Sequence, residues 1–148
     1  GIPGWMEVAK ALETAQIPLP LIYGHNDLLP ANFLYANNRV WLIDFEYSAY
    51  STAMFDLAGL SSNAGFDRHQ SLELLILYFS SNPDAGLIQA LEAMQCASLL
   101  REAMWSMVSE LFLKAPGVDY AAYTANQLDA YSARLDDYQS RYGKIAKS

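Results

Sequence analysis

Strand-like stretches stop at Tyr50, and that one feature confines the rest of this chain to helices. Ser51 or Thr52 offers a first N-cap beyond that point, and Asp67 a second, with Gln70 spaced from it for a capping box. Asn82-Pro83-Asp84 opens a long helix with its proline near the first turn, where a missing N–H costs nothing. Along that helix Leu91, Met94, Ala97, Leu100, Met104, Met107 and Leu111 trace one apolar face, and Pro116-Gly117 ends it. Asp119 can cap a last helix in which Leu128, Tyr131, Leu135, Tyr138 and Tyr142 recur at helical spacing, a stripe that reads as core or partner packing.

Before Tyr50 the pattern changes. Gly1-Ile2-Pro3-Gly4 reads as a loop, and Trp5, Val8, Ala9 and Leu12 then fall at helical spacing from Trp5 to Gln16, until Pro18 and Pro20 stop them. Short apolar runs follow; the last two are joined by Asn37-Asn38-Arg39, where asparagine tolerates the positive φ of a tight turn. A β-hairpin is expected over Phe33 to Asp44. The order is then helix, polar loop, hairpin and further helices, with no repeats or linkers between them. The fold class expected is α+β, mainly α-helical, with about five to six helices in one domain over residues 1–148. Hydrophobic residues make up 53% of the chain, enough to bury a core of its own.

Sixteen acidic residues against nine basic ones leave a net charge of -7, which disfavours nucleic acid and anionic membrane surfaces as partners. No apolar run approaches the ~20 residues that span a bilayer, and the start carries no secretory signal pattern, so a cytoplasmic setting is expected. Cys96 has no second cysteine to pair with and lies in an apolar run, so it is expected to fill core space in a reducing compartment.

The most polar stretch lies between the first helix and the hairpin. Asp27 and Asn32 flank a turn at Leu28-Leu29-Pro30, and Asp44 stands at the end of the second hairpin strand. Because a hairpin folds the chain back, two carboxylates and an amide oxygen are expected to converge, a hard-oxygen set suited to Mg²⁺. His25 reads as a core histidine bonded to backbone, not as a metal ligand. Taken singly, Asp27 and Asn32 also read as a turn with side-chain to backbone bonding.

The combined spacing, His25-x-Asp27-x4-Asn32 and then Ile43-Asp44-Phe45-Glu46, is that of a kinase catalytic loop and metal segment. "HNDLLPANFL", "LIDFEYSAY" and "FDLAGL" together resemble the choline/ethanolamine kinase family, within the wider protein-kinase-like group that includes aminoglycoside phosphotransferases. The resemblance implies a protein-kinase-like carboxyl-terminal lobe, with ATP as co-substrate and Mg²⁺ as cofactor. It implies that Asp27 accepts the substrate hydroxyl proton, that Asn32 and Asp44 hold Mg²⁺, and that His25 and Asp56 support the loop, the latter through backbone hydrogen bonds. The glycine-rich strand pair and strand lysine of a nucleotide lobe are not found, and Lys10 lies inside the first helix. The amino-terminal lobe is therefore expected to be absent, the chain inactive alone, and the uncovered lobe interface a site for a homodimer.

In that family aromatic faces hold a quaternary ammonium. "LLREAMWSMV" and "VDYAAY" resemble the segments that carry them: Trp105 and Tyr120 match, Glu102 stands where a first tryptophan is expected, and Asn63 replaces an acid. Glu46, Glu102, Trp105 and Tyr120 are thus the candidates for binding a small amino-alcohol, with Glu102 taking over the anionic role lost at Asn63. Helical projection sets Trp105 with Ser98, Arg101, Glu102 and Ser109, opposite the Leu91–Met104 face, so packing and a cation cage both stay open. The other tyrosines read as packing or surface residues. The function expected is an ATP-dependent phosphotransferase on the hydroxyl of that alcohol, represented by its catalytic lobe; the alternative is a non-catalytic binding or interaction module derived from such a kinase.

Overall fold

The structure, a computed structural model, describes residues 2–113 and 115–145. In order, these form α1 (Ile2–Glu13), β1 (Leu21–Gly24), a short 3₁₀ turn (Pro30–Asn32), β2 (Phe33–Ala36), β3 (Arg39–Leu42), β4 (Ala49–Thr52), α2 (Ala53–Asn63), α3 (Arg68–Phe79), α4 (Ala85–Phe112) and α5 (Tyr120–Tyr142). The mainly helical α+β class is the one expected. The opening is not a loop over residues 2–4, because a first helical turn needs no N–H from its proline; Gly1 lies outside the described residues. α1 ends at Glu13, short of Gln16, and winds down through bonds from Thr14, Ala15 and Gln16 to carbonyls three residues back.

β2 and β3 form the hairpin, with Phe33 opposite Leu42 and Ala36 opposite Arg39. Asn37 (φ 51°) and Asn38 (φ 61°) make its two-residue turn in the left-handed region, as the sequence requires. The hairpin closes at Leu42, two residues earlier than expected, and Asp44 at φ 64° turns the chain out of the strand direction. A second antiparallel pair was not expected: β1 pairs with β4, Gly24 opposite Ala49, and Tyr23 meets Tyr50 edge to face at 5.5 Å. Strands of four residues are too short for alternation to reveal them.

Side-chain caps set several helix starts. Asp67 and Gln70 form the capping box of α3, Asp84 caps α4 and Asp119 caps α5, whereas Thr52 occupies the cap position of α2 without a side-chain bond. Pro83 therefore precedes α4 and is not part of its first turn. α4 runs through the middle of the molecule, packed by α5, α2 and α1. It joins two apolar clusters: Leu12, Cys96, Leu99, Leu100, Tyr131 and Tyr138 on one side, and Met54, Leu57, Leu75, Ala90 and Leu91 on the other. Cys96 is fully buried, and that burial pushes its thiol up to about 12.

Being packed from several sides, α4 does not bury the single stripe expected of it. Leu91 and Leu100 are buried, but Met104 and Leu111 are exposed, while Ser98, Glu102 and Ser109 from the supposed outer side are buried, as is Ser106. Among the described residues no helix is long and apolar enough to cross a membrane.

Candidate active site

The loop after β1 is fixed through its backbone. Asp56, in the first turn of α2, accepts the N–H of His25 at Oδ2 (2.8 Å) and that of Asn26 at Oδ1 (2.7 Å), two charge-assisted bonds from one carboxylate. Asn26 takes φ 64°, and its side chain donates to the carbonyls of Tyr47 (3.1 Å) and Ala49 (3.3 Å) while accepting from Ser51 Oγ (2.7 Å). Gly24 admits these neighbours: a Cβ there would stand 2.6 Å from Ser51 Oγ and 3.0 Å from Asp56 Oδ2. His25 is buried, and its partners define its tautomer. Nε2 donates to the Ile43 carbonyl (2.9 Å), which can only accept, so Nδ1 accepts from the Asp27 N–H (3.3 Å).

The same stitching carries the hairpin's far end to the loop. The Ile43 N–H donates to the Asn32 carbonyl (3.0 Å), and Asn32 itself is buried, with Nδ2 donating to the Asp27 carbonyl (2.9 Å). That bond occupies the amide's donor side and leaves Oδ1 for a ligand, while the carboxylate of Asp44 is exposed and makes no hydrogen bond or ion pair among the described residues. Hard oxygens of this kind fit Mg²⁺ that keeps waters and substrate phosphate oxygens. No group of three or more His, Cys, Asp and Glu that could hold a metal occurs among the described residues, so the protein offers an incomplete shell. Burial, reinforced by the Glu102 charge, raises the Asp27 carboxyl above its ordinary value; Arg101 and His25 pull it down, and Asp44 adds to the rise.

Asp27 faces a cavity of about 300 Å³. Leu29 and Tyr47 share its side of the wall; Arg101, Glu102 and Trp105 come from α4, and Val118, Tyr120 and Tyr123 from the start of α5 and the turn before it. The buried Ser106 hydroxyl donates to the Tyr120 carbonyl (2.9 Å), which fixes Tyr120 against α4, and the Trp105 and Tyr120 rings stand 6.4 Å apart. Glu102 is buried, with Oε1 accepting from Arg101 Nη2 (2.6 Å) and Oε2 from the Tyr123 hydroxyl (3.3 Å). Burial, followed by the Glu102 charge and hydrogen bond, pushes the Tyr123 phenol up to about 12.

Asp27, Glu102, Trp105 and Tyr120 thus share one cavity, with Trp105 half exposed in its wall. Glu46 is exposed and does not line it, nor does Asn63, whose amide is buried with neither polar atom partnered. Sequence reasoning missed Arg101 as a lining residue and read Tyr47 and Tyr123 as packing or surface. Tyr123 follows Tyr120 by one helical turn, a spacing that could have flagged it.

The family model for Choline/ethanolamine kinase matches residues 5–81, just over half of the chain. A probable ethanolamine kinase of Arabidopsis thaliana is 37% identical over 62 residues, 40% of this chain and 17% of that protein. Probable ethanolamine kinase A of Dictyostelium discoideum is 27% identical over 90% of this chain and 44% of its own. A solved choline/ethanolamine kinase family protein from Mesorhizobium loti superposes with a TM-score of 0.76 at 26% identity, over 89% of this chain and 44% of that one. The Plasmodium vivax ethanolamine kinase shares the fold, with a TM-score of 0.74 at 18% identity over 94% of this chain and 40% of that one. The chain spans less than half the length of each of these relatives. With the family model matched from α1 through α3, across the Asp27 loop and the hairpin, the chain belongs to the choline/ethanolamine kinase family.

Proposed function

We propose that the chain supplies the acceptor side of an ATP-dependent phosphotransferase acting on the hydroxyl of a small amino-alcohol of the choline or ethanolamine kind. The observation that carries this reading is the shared cavity, with Asp27 in one wall and Glu102, Trp105 and Tyr120 in the other. Asp27, raised by its surroundings, is suited to accept the hydroxyl proton as the alcohol oxygen bonds to the γ-phosphorus of ATP and the bond from that phosphorus to the departing ADP breaks. Asn32 and Asp44 would hold Mg²⁺, which when bound offsets phosphate charge. Glu102 and the indole face of Trp105 would receive the substrate's ammonium group. A buried carboxylate rewards a head that can donate hydrogen bonds, so a primary or secondary ammonium is favoured over a quaternary one. The ethanolamine kinases among its relatives are consistent with that order.

The chain alone is expected to turn over little, so the test is ADP release, with ethanolamine and with choline, by a full-length enzyme that carries this chain as its catalytic lobe. Asp27→Ala is expected to remove turnover, and Glu102→Gln to raise KM for the amine about tenfold while sparing kcat. Glu102→Trp is expected to shift preference toward choline. Turnover that survives Asp27→Ala would sink the assignment, and an unchanged substrate profile in both Glu102 variants would remove that residue from recognition.

A further inference from the structure

Arg101 touches both halves of the site. Nη2 donates to Glu102 Oε1 at 2.6 Å, Nη1 makes a longer bond of 3.4 Å to the Asn26 carbonyl, and the guanidinium carbon lies 5.0 Å from the centroid of the Phe55 ring. The Asn26 carbonyl belongs to the same peptide plane as the Asp27 N–H, so whatever holds that oxygen limits where Asp27 can point. Glu102 is the buried partner, its side chain only 9% exposed, while the Arg101 side chain is 40% exposed, so the pair is screened from one side only. A planar fork can serve two acceptors at once while stacking on a ring; an ammonium is a single point of charge.

Resting on the reading of Glu102 as the ammonium's partner, we infer that Arg101 is a positioning residue that couples amine recognition to the placement of Asp27. One guanidinium orients the carboxylate that meets the ammonium and the peptide that carries the group facing the hydroxyl. An ammonium arriving at Glu102 competes with Arg101 for the same carboxylate, so its binding is transmitted to the Asn26–Asp27 peptide through that side chain.

Amide NMR of the full 148-residue chain tests this, with and without ethanolamine. Ethanolamine should shift the Glu102 and Asp27 amides together in the wild type and only the Glu102 amide in Arg101→Met. Without ligand, hydrogen exchange at the Asp27 amide should rise about tenfold in Arg101→Met and stay near wild type in Phe55→Leu, which removes only the stacking. Arg101→Lys should recover ethanolamine affinity to within about threefold but not the exchange protection. Equal exchange changes in Arg101→Met and Phe55→Leu, or none in either, would overturn the proposal. A joint response that persists in Arg101→Met would overturn the coupling and leave the amine reading standing. A wild-type chain with no ethanolamine response would overturn the amine reading and the coupling with it.

Discussion

The loop that carries Asp27 is held by its own backbone, through Asp56, His25 and Asn32, whereas the wall facing it is held by side chains reaching between α4 and α5. The two kinds of fastening respond differently to change. A backbone clamp has one geometry, and losing a member leaves buried N–H groups without partners. A side-chain wall keeps its helices when one residue is exchanged and alters only what the cavity accepts. On the proposed function, the loop fixes the chemistry and the wall can be edited for substrate.

The largest expected effect is at the clamp. Asp56→Ala removes the acceptor of two charge-assisted bonds, each worth about 1.5–3 kcal/mol, so a loss of roughly 3–6 kcal/mol is expected in urea unfolding. A loss below about 1 kcal/mol would mean the loop is held elsewhere, and the contrast with the wall would fail. Next in size is Gly24→Ala. Its new methyl would sit 2.6 Å from Ser51 Oγ and 3.0 Å from Asp56 Oδ2, at a cost of about 1–3 kcal/mol. Trp105→Leu, at a half-exposed wall position, is the control and is expected to cost about 1 kcal/mol or less while weakening amine binding. If the wall variant proved more destabilising than Gly24→Ala, the two regions would have to exchange roles.

This contrast also decides what could be read from the sequence. His25, Asp27, Asn32 and Asp44 stand out because a polar group in an apolar stretch must have a reason, and a hairpin between them dictates the direction of return. Asn37 and Asn38 announce their turn by the one conformation they tolerate better than most residues. The wall was harder to read. Which side of α4 is inside depends on three neighbours packing around it, and no periodicity within α4 records where they lie. Met104 and Leu111 fall on the periodic apolar stripe and are nevertheless exposed, and Glu102 and Ser106 show that the interior there is polar. The β1–β4 pair is illegible because four residues on each side are too few for alternation to show, although Gly24 lies opposite Ala49 beside the clamp.

The smallest effect expected has opposite signs in the two regions. Burial and the Glu102 charge raise the Asp27 carboxyl above 3.8, so the folded state holds that proton more tightly than the unfolded chain does. Its contribution to stability is therefore greatest at low pH and is lost as pH rises from the unfolded value through the raised folded one. Asp27→Asn removes that loss, and its thermal midpoint near pH 7 is expected to exceed that of the wild type by on the order of one degree, with a flatter pH dependence in the acid range. Glu102 differs because its charge has a partner. Glu102→Gln leaves Arg101 facing a neutral amide, so its midpoint should fall, not rise. Thermal melts of the two variants from pH 4 to 7 compare them directly. A gain in both would show that Arg101 contributes nothing to holding Glu102, and a fall in both would show that Asp27 is stabilised by its surroundings, against the burial that raises it.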